Sequence, residues 1–136
     1  VALFVVDASV VSSWVLPDED SPVADVSLTM LQRFGAIAPD LLWYEVRNVL
    51  AVSCRRRRID LTHAKDGLEK LRRFPIMTVP VDDDAIVLEL AEKHNLSAYD
   101  AVYLALALTR NLSLATVDRR LAAAAVHSGC QLIGGA

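Results

Sequence analysis

Four acidic residues stand where packing alone has no use for charge: Asp7 closes Leu3-Phe4-Val5-Val6, Glu45 lies within an apolar helical segment, Asp100 opens another, and Asp118 follows Leu114-Ala115-Thr116-Val117. A carboxylate on an apolar element costs several kcal/mol unless it is hydrogen-bonded, protonated or facing a cation. The four are spread along the chain, so only folding can bring them together, and a divalent metal is the natural reason for them to meet. Their oxygen donors suit a hard cation such as magnesium, which keeps much of its water and takes few protein ligands. Cys54 and Cys130 form no metal-spaced cluster and are read as ordinary buried thiols.

Periodicity supplies the elements that must position these acids. Leu3 to Val6 suits a strand buried on both faces, and Val10 to Leu16 a short helix stopped at Pro17. Ala24 to Phe34 is amphipathic and ends at Gly35; Ala36-Ile37-Ala38 is a strand, and Asp40 is placed to cap a helix from Leu41 to about Arg57. Thr62 is expected to cap a helix through Arg73, Met77 to Val79 to form a strand, and Asp82 or Asp83 to start a helix reaching Asn95. Ser97 opens an Ala-rich helix through Thr109, before a strand from Leu114 to Val117, a helix from Arg119 to Val126 and a final strand at Gln131 to Ile133. Alternating strands and helices imply parallel pairing through right-handed crossovers. The expected fold is α/β, a three-layer α/β/α sandwich with a central, mainly parallel sheet. In such sheets functional groups gather beyond the carboxyl ends of the strands, and Asp7 and Asp118 each follow a strand directly.

The chain has 136 residues, which bounds it to one domain, residues 1–136, with a sizeable core. Hydrophobic residues make up 54%, which excludes disorder, and the longest apolar stretch, Ala101 to Leu108, is too short to span a bilayer. No secretory signal pattern is visible at the apolar start, which runs straight into Asp7, so a cytoplasmic location without a membrane is expected. The net charge of −3 hides an uneven distribution: between Arg47 and Arg73 nine basic residues face three acids. Arg55, Arg56, Arg57 and Arg58 are a candidate RNA-phosphate contact, with helix-end cations complementing the negative pole as the plainer reading.

Each acid also has a structural explanation. Asp7 and Asp118 can cap the helices that follow them, and Asp100 stands three residues after Ser97 in a capping-box pattern. Glu45 lies too far inside its helix to cap, although pairing with Arg47 or Arg55 remains open. Asn48, three residues on, shares its face and can orient a carboxylate or a metal-bound water. His63, His94 and His127 fall outside these segments and are read as surface residues, and Tyr99 and Tyr103 are read as packing residues rather than base-stacking platforms.

The segment Leu96-Ser97-Ala98-Tyr99-Asp100-Ala101-Val102-Tyr103-Leu104-Ala105-Leu106-Ala107 resembles the signature of PIN-domain nucleases, especially the VapC-type toxins of toxin-antitoxin systems. Val5-Val6-Asp7-Ala8-Ser9 is similar to the family's first strand and acid. Pro39 to Leu50 resembles its helix with a Glu-x-x-Asn pair, and Ala115 to Leu121 its Thr-x-Asp element. The resemblance runs over nearly the whole chain in the family's order. It implies a magnesium- or manganese-dependent endoribonuclease whose metal-binding catalytic acids are Asp7, Glu45, Asp100 and Asp118, with Ser9, Asn48 and Thr116 as accessory polar positions. It also implies a cognate antitoxin protein, an RNA substrate and a homodimer.

Other chemistries fit the residues less well. A haloacid-dehalogenase-type phosphotransferase adds a second acid two residues after its first, where this chain has Ser9, and a receiver domain adds a lysine near a late strand, which residues 114–121 lack. A catalytically silent PIN-like module that only binds RNA or protein is the alternative from a different class.

Overall fold

The computed structural model describes residues 3–17 and 19–134. Four short strands, β1 (Phe4–Val6), β2 (Ala36–Pro39), β3 (Ile76–Val79) and β4 (Leu114–Ala115), form one parallel sheet in the order β3-β2-β1-β4. Seven helices connect them among the described residues: α1 (Ala8–Ser13), α2 (Pro22–Phe34), α3 (Leu42–Arg55), α4 (Leu61–Arg72), α5 (Asp84–His94), α6 (Ala98–Arg110) and α7 (Arg119–His127). Every residue of β1, β2 and β4 is buried, as expected of strands covered by helices on both faces, whereas edge strand β3 is half-exposed. The expected α/β/α architecture is therefore present. Its core includes Phe4, Ile37, Leu42, Leu104, Leu114 and Leu121, each 0% exposed. Burying such a side chain stabilises a fold by roughly 1.5–3 kcal/mol.

Several boundaries differ from the sequence reading for local physical reasons. Asp60, not Thr62, caps α4, its side chain accepting from the His63 amide at 2.8 Å. Asp40 caps nothing: α3 starts at Leu42 behind Leu41, without a side-chain cap. Ser21 caps α2 ahead of Pro22, two residues before the expected start, because proline at the first helical position gives up no hydrogen bond. α1 ends at Ser13, short of Leu16, and α3 ends at Arg55. β4 stops at Ala115, since the Thr116 side chain turns toward Asp7, and the expected final strand is reduced to one bridge between Leu132 and Leu114. Gly35 turns α2 into β2 at φ +76°, and a Cβ there would lie 3.3 Å from the Pro75 carbonyl oxygen. Cys130 is buried and Cys54 half-buried; both are free.

The topology fixes where loops diverge. From β1 the sheet grows toward β2 on one side and β4 on the other, so the β1/β4 boundary is the switch point where a crevice opens beyond the carboxyl ends. Helices α1, α3 and α7 leave that edge directly after β1, β2 and β4. Helix α6 returns antiparallel to β4, which follows it after Asn111–Ser113, and so it too begins at that edge.

Candidate active site

Four helix N-termini thus meet at one sheet edge, and each carries one of the four acids. Asp7 is the N-cap of α1 and Asp118 the N-cap of α7; Glu45 and Asp100 lie in the first turns of α3 and α6. Partial positive charge at a helix N-terminus favours a carboxylate there. Asp7 and Asp118 make the caps that were their plainer reading in the sequence, whereas Ser97 rather than Asp100 caps α6 and Glu45 caps nothing. Glu45 is nearer its helix start than the sequence suggested, because α3 begins at Leu42.

Asp7 is 5% exposed and bound on both oxygens. Its Oδ1 accepts from the Ser9 hydroxyl at 2.6 Å and the Val10 amide at 3.1 Å, and its Oδ2 accepts from the Thr116 hydroxyl. The same hydroxyls accept in turn: Ser9 from the Val117 amide at 3.1 Å, Thr116 from the Asp118 amide at 3.0 Å. These bonds zip the β1–α1 turn to the β4–α7 turn. The Asp118 Oδ1 accepts from the amides of Arg120 and Leu121, at 2.9 and 3.1 Å. Ser97 caps α6 through the Asp100 amide at 3.0 Å, leaving the half-buried Asp100 carboxylate without that duty.

Electrostatics link the acids in a chain. Burial pushes the Asp7 carboxyl up to about 6; the bonds from Ser9, Thr116 and Val10 oppose that rise, and the Asp118 charge adds to it. Burial also raises Glu45, against the Tyr103 hydrogen bond and with the Asp100 charge. Asp100 is raised by burial and then by the Asp118 charge, while the Ser97 bond and the Arg120 charge pull it down. Glu45 thus feels Asp100, Asp100 feels Asp118, and Asp7 feels Asp118.

Tyr103, read from sequence as a packing residue, does more than pack. It is 1% exposed, and its hydroxyl donates to the Glu45 Oε1 at 2.6 Å, holding that carboxylate from the next turn of α6. Its position one turn beyond Asp100 was the available signal. Removing this donor in Tyr103→Phe is expected to raise the Glu45 midpoint further, because the bond favours the ionised form. Carbon-detected NMR titration of the Glu45 carboxyl reads it; an unmoved midpoint would show that the bond is not made in solution.

Other expected site residues are placed less centrally. Asn48 is exposed and lines a cavity of about 480 Å³ with Leu41, Tyr44, Glu45 and Tyr99. Tyr99 is 66% exposed there, so its reading as a packing residue is corrected. Ion pairs among the described residues are Arg58–Glu19 and Arg73–Glu69, so Glu45 is not held by Arg47 or Arg55. Arg55 lies ten residues beyond Glu45 on α3, about 15 Å along the axis. The arginine run is therefore not brought to the acids, and Arg58 is instead drawn to Glu19 at 3.5 Å and the Pro17 carbonyl at 3.2 Å. His63, His94 and His127 bond to Val15, Ser128 and Ala123, away from the acids.

The donor set at this edge is carboxylate and hydroxyl oxygen, which suits magnesium or manganese. Among the described residues no three Asp, Glu, His or Cys side chains stand close enough to hold an ion directly. That spacing fits a water-rich ion held by one or two carboxylates at a time.

This parallel sheet with acids at its switch point belongs to a known class, and sequence comparison agrees: the PIN domain family matches residues 4–127, and the chain belongs to it. It is similar to Ribonuclease VapC3 of Pyrobaculum aerophilum, with 37% identity over 122 residues, covering 87% of this chain and 91% of that protein. Its fold is similar to the crystal structure of PAE2754 from Pyrobaculum aerophilum, with a TM-score of 0.69 and 26% identity, covering 90% of this chain and 84% of that one. Among the described residues no helix is long and apolar enough to cross a membrane.

Proposed function

We propose that the protein is a metal-dependent endoribonuclease that hydrolyses RNA phosphodiesters and acts in the cytoplasm as the toxin of a type II toxin-antitoxin pair. In this reading residues 1–136 form a single PIN-like domain that pairs with a second copy and is restrained by a cognate antitoxin. The observation that carries the nuclease reading is the placement of Asp7, Glu45, Asp100 and Asp118 at four helix N-termini along one sheet edge. Similarity to Ribonuclease VapC3 supports the substrate class and the toxin role.

Asp7, Glu45, Asp100 and Asp118 would hold Mg2+ or Mn2+, partly through water. When bound, the ion supplies positive charge for the developing oxyanions and acidifies water. Ser9 and Thr116 fix the Asp7 carboxylate through both of its oxygens, and Tyr103 fixes that of Glu45. A carboxylate of this set that is not engaged with the ion would take the water proton; Asp7, buried with both oxygens bonded, is not that group. Water adds to phosphorus as its proton passes to that carboxylate, the bond to the 3′ oxygen breaks, and the 3′ oxygen takes a proton from solvent water, giving 5′-phosphate and 3′-hydroxyl ends.

That no three of these side chains among the described residues stand close enough to hold an ion directly is what favours a catalytically silent RNA- or protein-binding module instead. Incubating the protein with a mixed single-stranded and hairpin RNA pool decides between them. Cleavage is expected with magnesium or manganese and none with EDTA; RNA left intact under all three conditions would sink the nuclease reading.

A further inference from the structure

Beside the acids lies a feature that hydrolysis itself does not use. Tyr44 and Tyr99 are 70% and 66% exposed, among the most exposed large hydrophobic side chains of the protein, and both line the cavity of about 480 Å³ that has Glu45 in its wall. Each ring immediately precedes a site acid in the first turn of its helix, Tyr44 before Glu45 on α3 and Tyr99 before Asp100 on α6. Successive helical residues point about 100° apart, so each ring sits to the side of its neighbouring carboxylate. The Arg47 guanidinium lies over the Tyr44 ring, 4.8 Å from its centroid. That contact steadies the ring and sets a cation against it, next to the cavity that Tyr44 lines, although Arg47 itself does not line that cavity.

We propose that Tyr44 and Tyr99 form a stacking clamp for an unpaired nucleobase next to the scissile phosphate, with Arg47 meeting a neighbouring phosphate. The proposal rests on the ribonuclease reading and names its substrate as single-stranded RNA. A base in a duplex is stacked on its neighbours and cannot offer both faces, whereas an unpaired one can be splayed out onto aromatic rings. Stacking accepts any base, so the clamp selects strandedness and register more than sequence.

Binding, measured without cleavage, tests the clamp independently of the nuclease reading. In the Asp100→Asn background, a short single-stranded RNA carrying 2-aminopurine is titrated with protein in magnesium buffer. Fluorescence is expected to be quenched as the base stacks. Tyr44→Ala and Tyr99→Ala should each weaken Kd by about tenfold and reduce the quench, while Tyr44→Phe and Tyr99→Phe keep both within about twofold. A duplex of the same sequence should neither quench nor respond to the substitutions. Equal Kd and equal quench in the double alanine variant would overturn the clamp and leave the two rings as a face for a protein partner. Wild type that cleaves no RNA while the quench still depends on both rings would defeat the nuclease reading and leave the clamp standing.

Discussion

Asp100→Asn is expected to lower kcat/KM for RNA cleavage by at least about 10³-fold, equivalent to about 4 kcal/mol of transition-state stabilisation. Phosphodiester hydrolysis builds negative charge on oxygens that only a cation can offset inside an acidic crevice, and asparagine binds a hard divalent ion far more weakly than a carboxylate does. Asp100 is the most informative member to change because its side chain has the smallest structural role. It is half-buried, and the cap of α6 is made by the Ser97 hydroxyl to the Asp100 backbone amide. Ser97→Ala is the comparison: it should cost about 1 kcal/mol of stability through the lost cap and, because it also removes a bond to the Asp100 carboxylate while keeping the carboxylate itself, reduce cleavage far less than Asp100→Asn does. Asp7→Asn and Glu45→Gln should abolish cleavage as Asp100→Asn does, and Asp118, engaged by the amides of α7, should give a partial loss. Cleavage by Asp100→Asn at the wild-type rate would end the assignment.

In metal-free protein, the stability of Asp7→Asn relative to wild type should improve by roughly 2.4 kcal/mol between pH 4 and pH 7.5. Burial lifts the Asp7 carboxyl from 3.8 to about 6, and each pK unit is worth about 1.4 kcal/mol. A folded-state value above the unfolded one means that the native protein holds the extra proton. The stabilisation is fully present below 3.8 and is lost as pH rises through about 6. Asparagine caps a helix as well as aspartate and is neutral throughout, so the variant escapes this loss. Its amide can face the Thr116 hydroxyl, which can accept, while its oxygen keeps the Ser9 and Val10 donors. Urea unfolding in EDTA across this range measures the difference, and parallel curves for the two proteins would refute it. Magnesium should then restore stability to wild type more than to the variant, because an ion that binds only the native state shifts unfolding by mass action.

Much of this arrangement was legible in the chain itself. Apolar runs of three or four residues marked β1 and β2, because strands covered on both faces need no alternation. Asp83 and Ser97 announced their helix starts through local bonds to the Ile86 and Asp100 amides, which depend only on neighbours in sequence. The acids drew notice because charge on an apolar element demands an explanation, and their four sequence blocks matched the family pattern.

Which partner supplies the explanation was decided by tertiary structure. The Thr116–Asp7 and Tyr103–Glu45 bonds join residues 109 and 58 positions apart, and no local propensity encodes such pairs. Tyr99 and Tyr103 share a helix and a residue type, yet one is exposed and the other buried, since the elements packed against α6 choose its covered face. The arginine run, a candidate phosphate contact in the sequence, starts about 15 Å along α3 from Glu45, a separation set by the length of the helix. Residue types and local periodicity determined the elements and the candidate acids; the switch point between β1 and β4, a property of strand order alone, decided that four helix N-termini and their carboxylates would share one crevice.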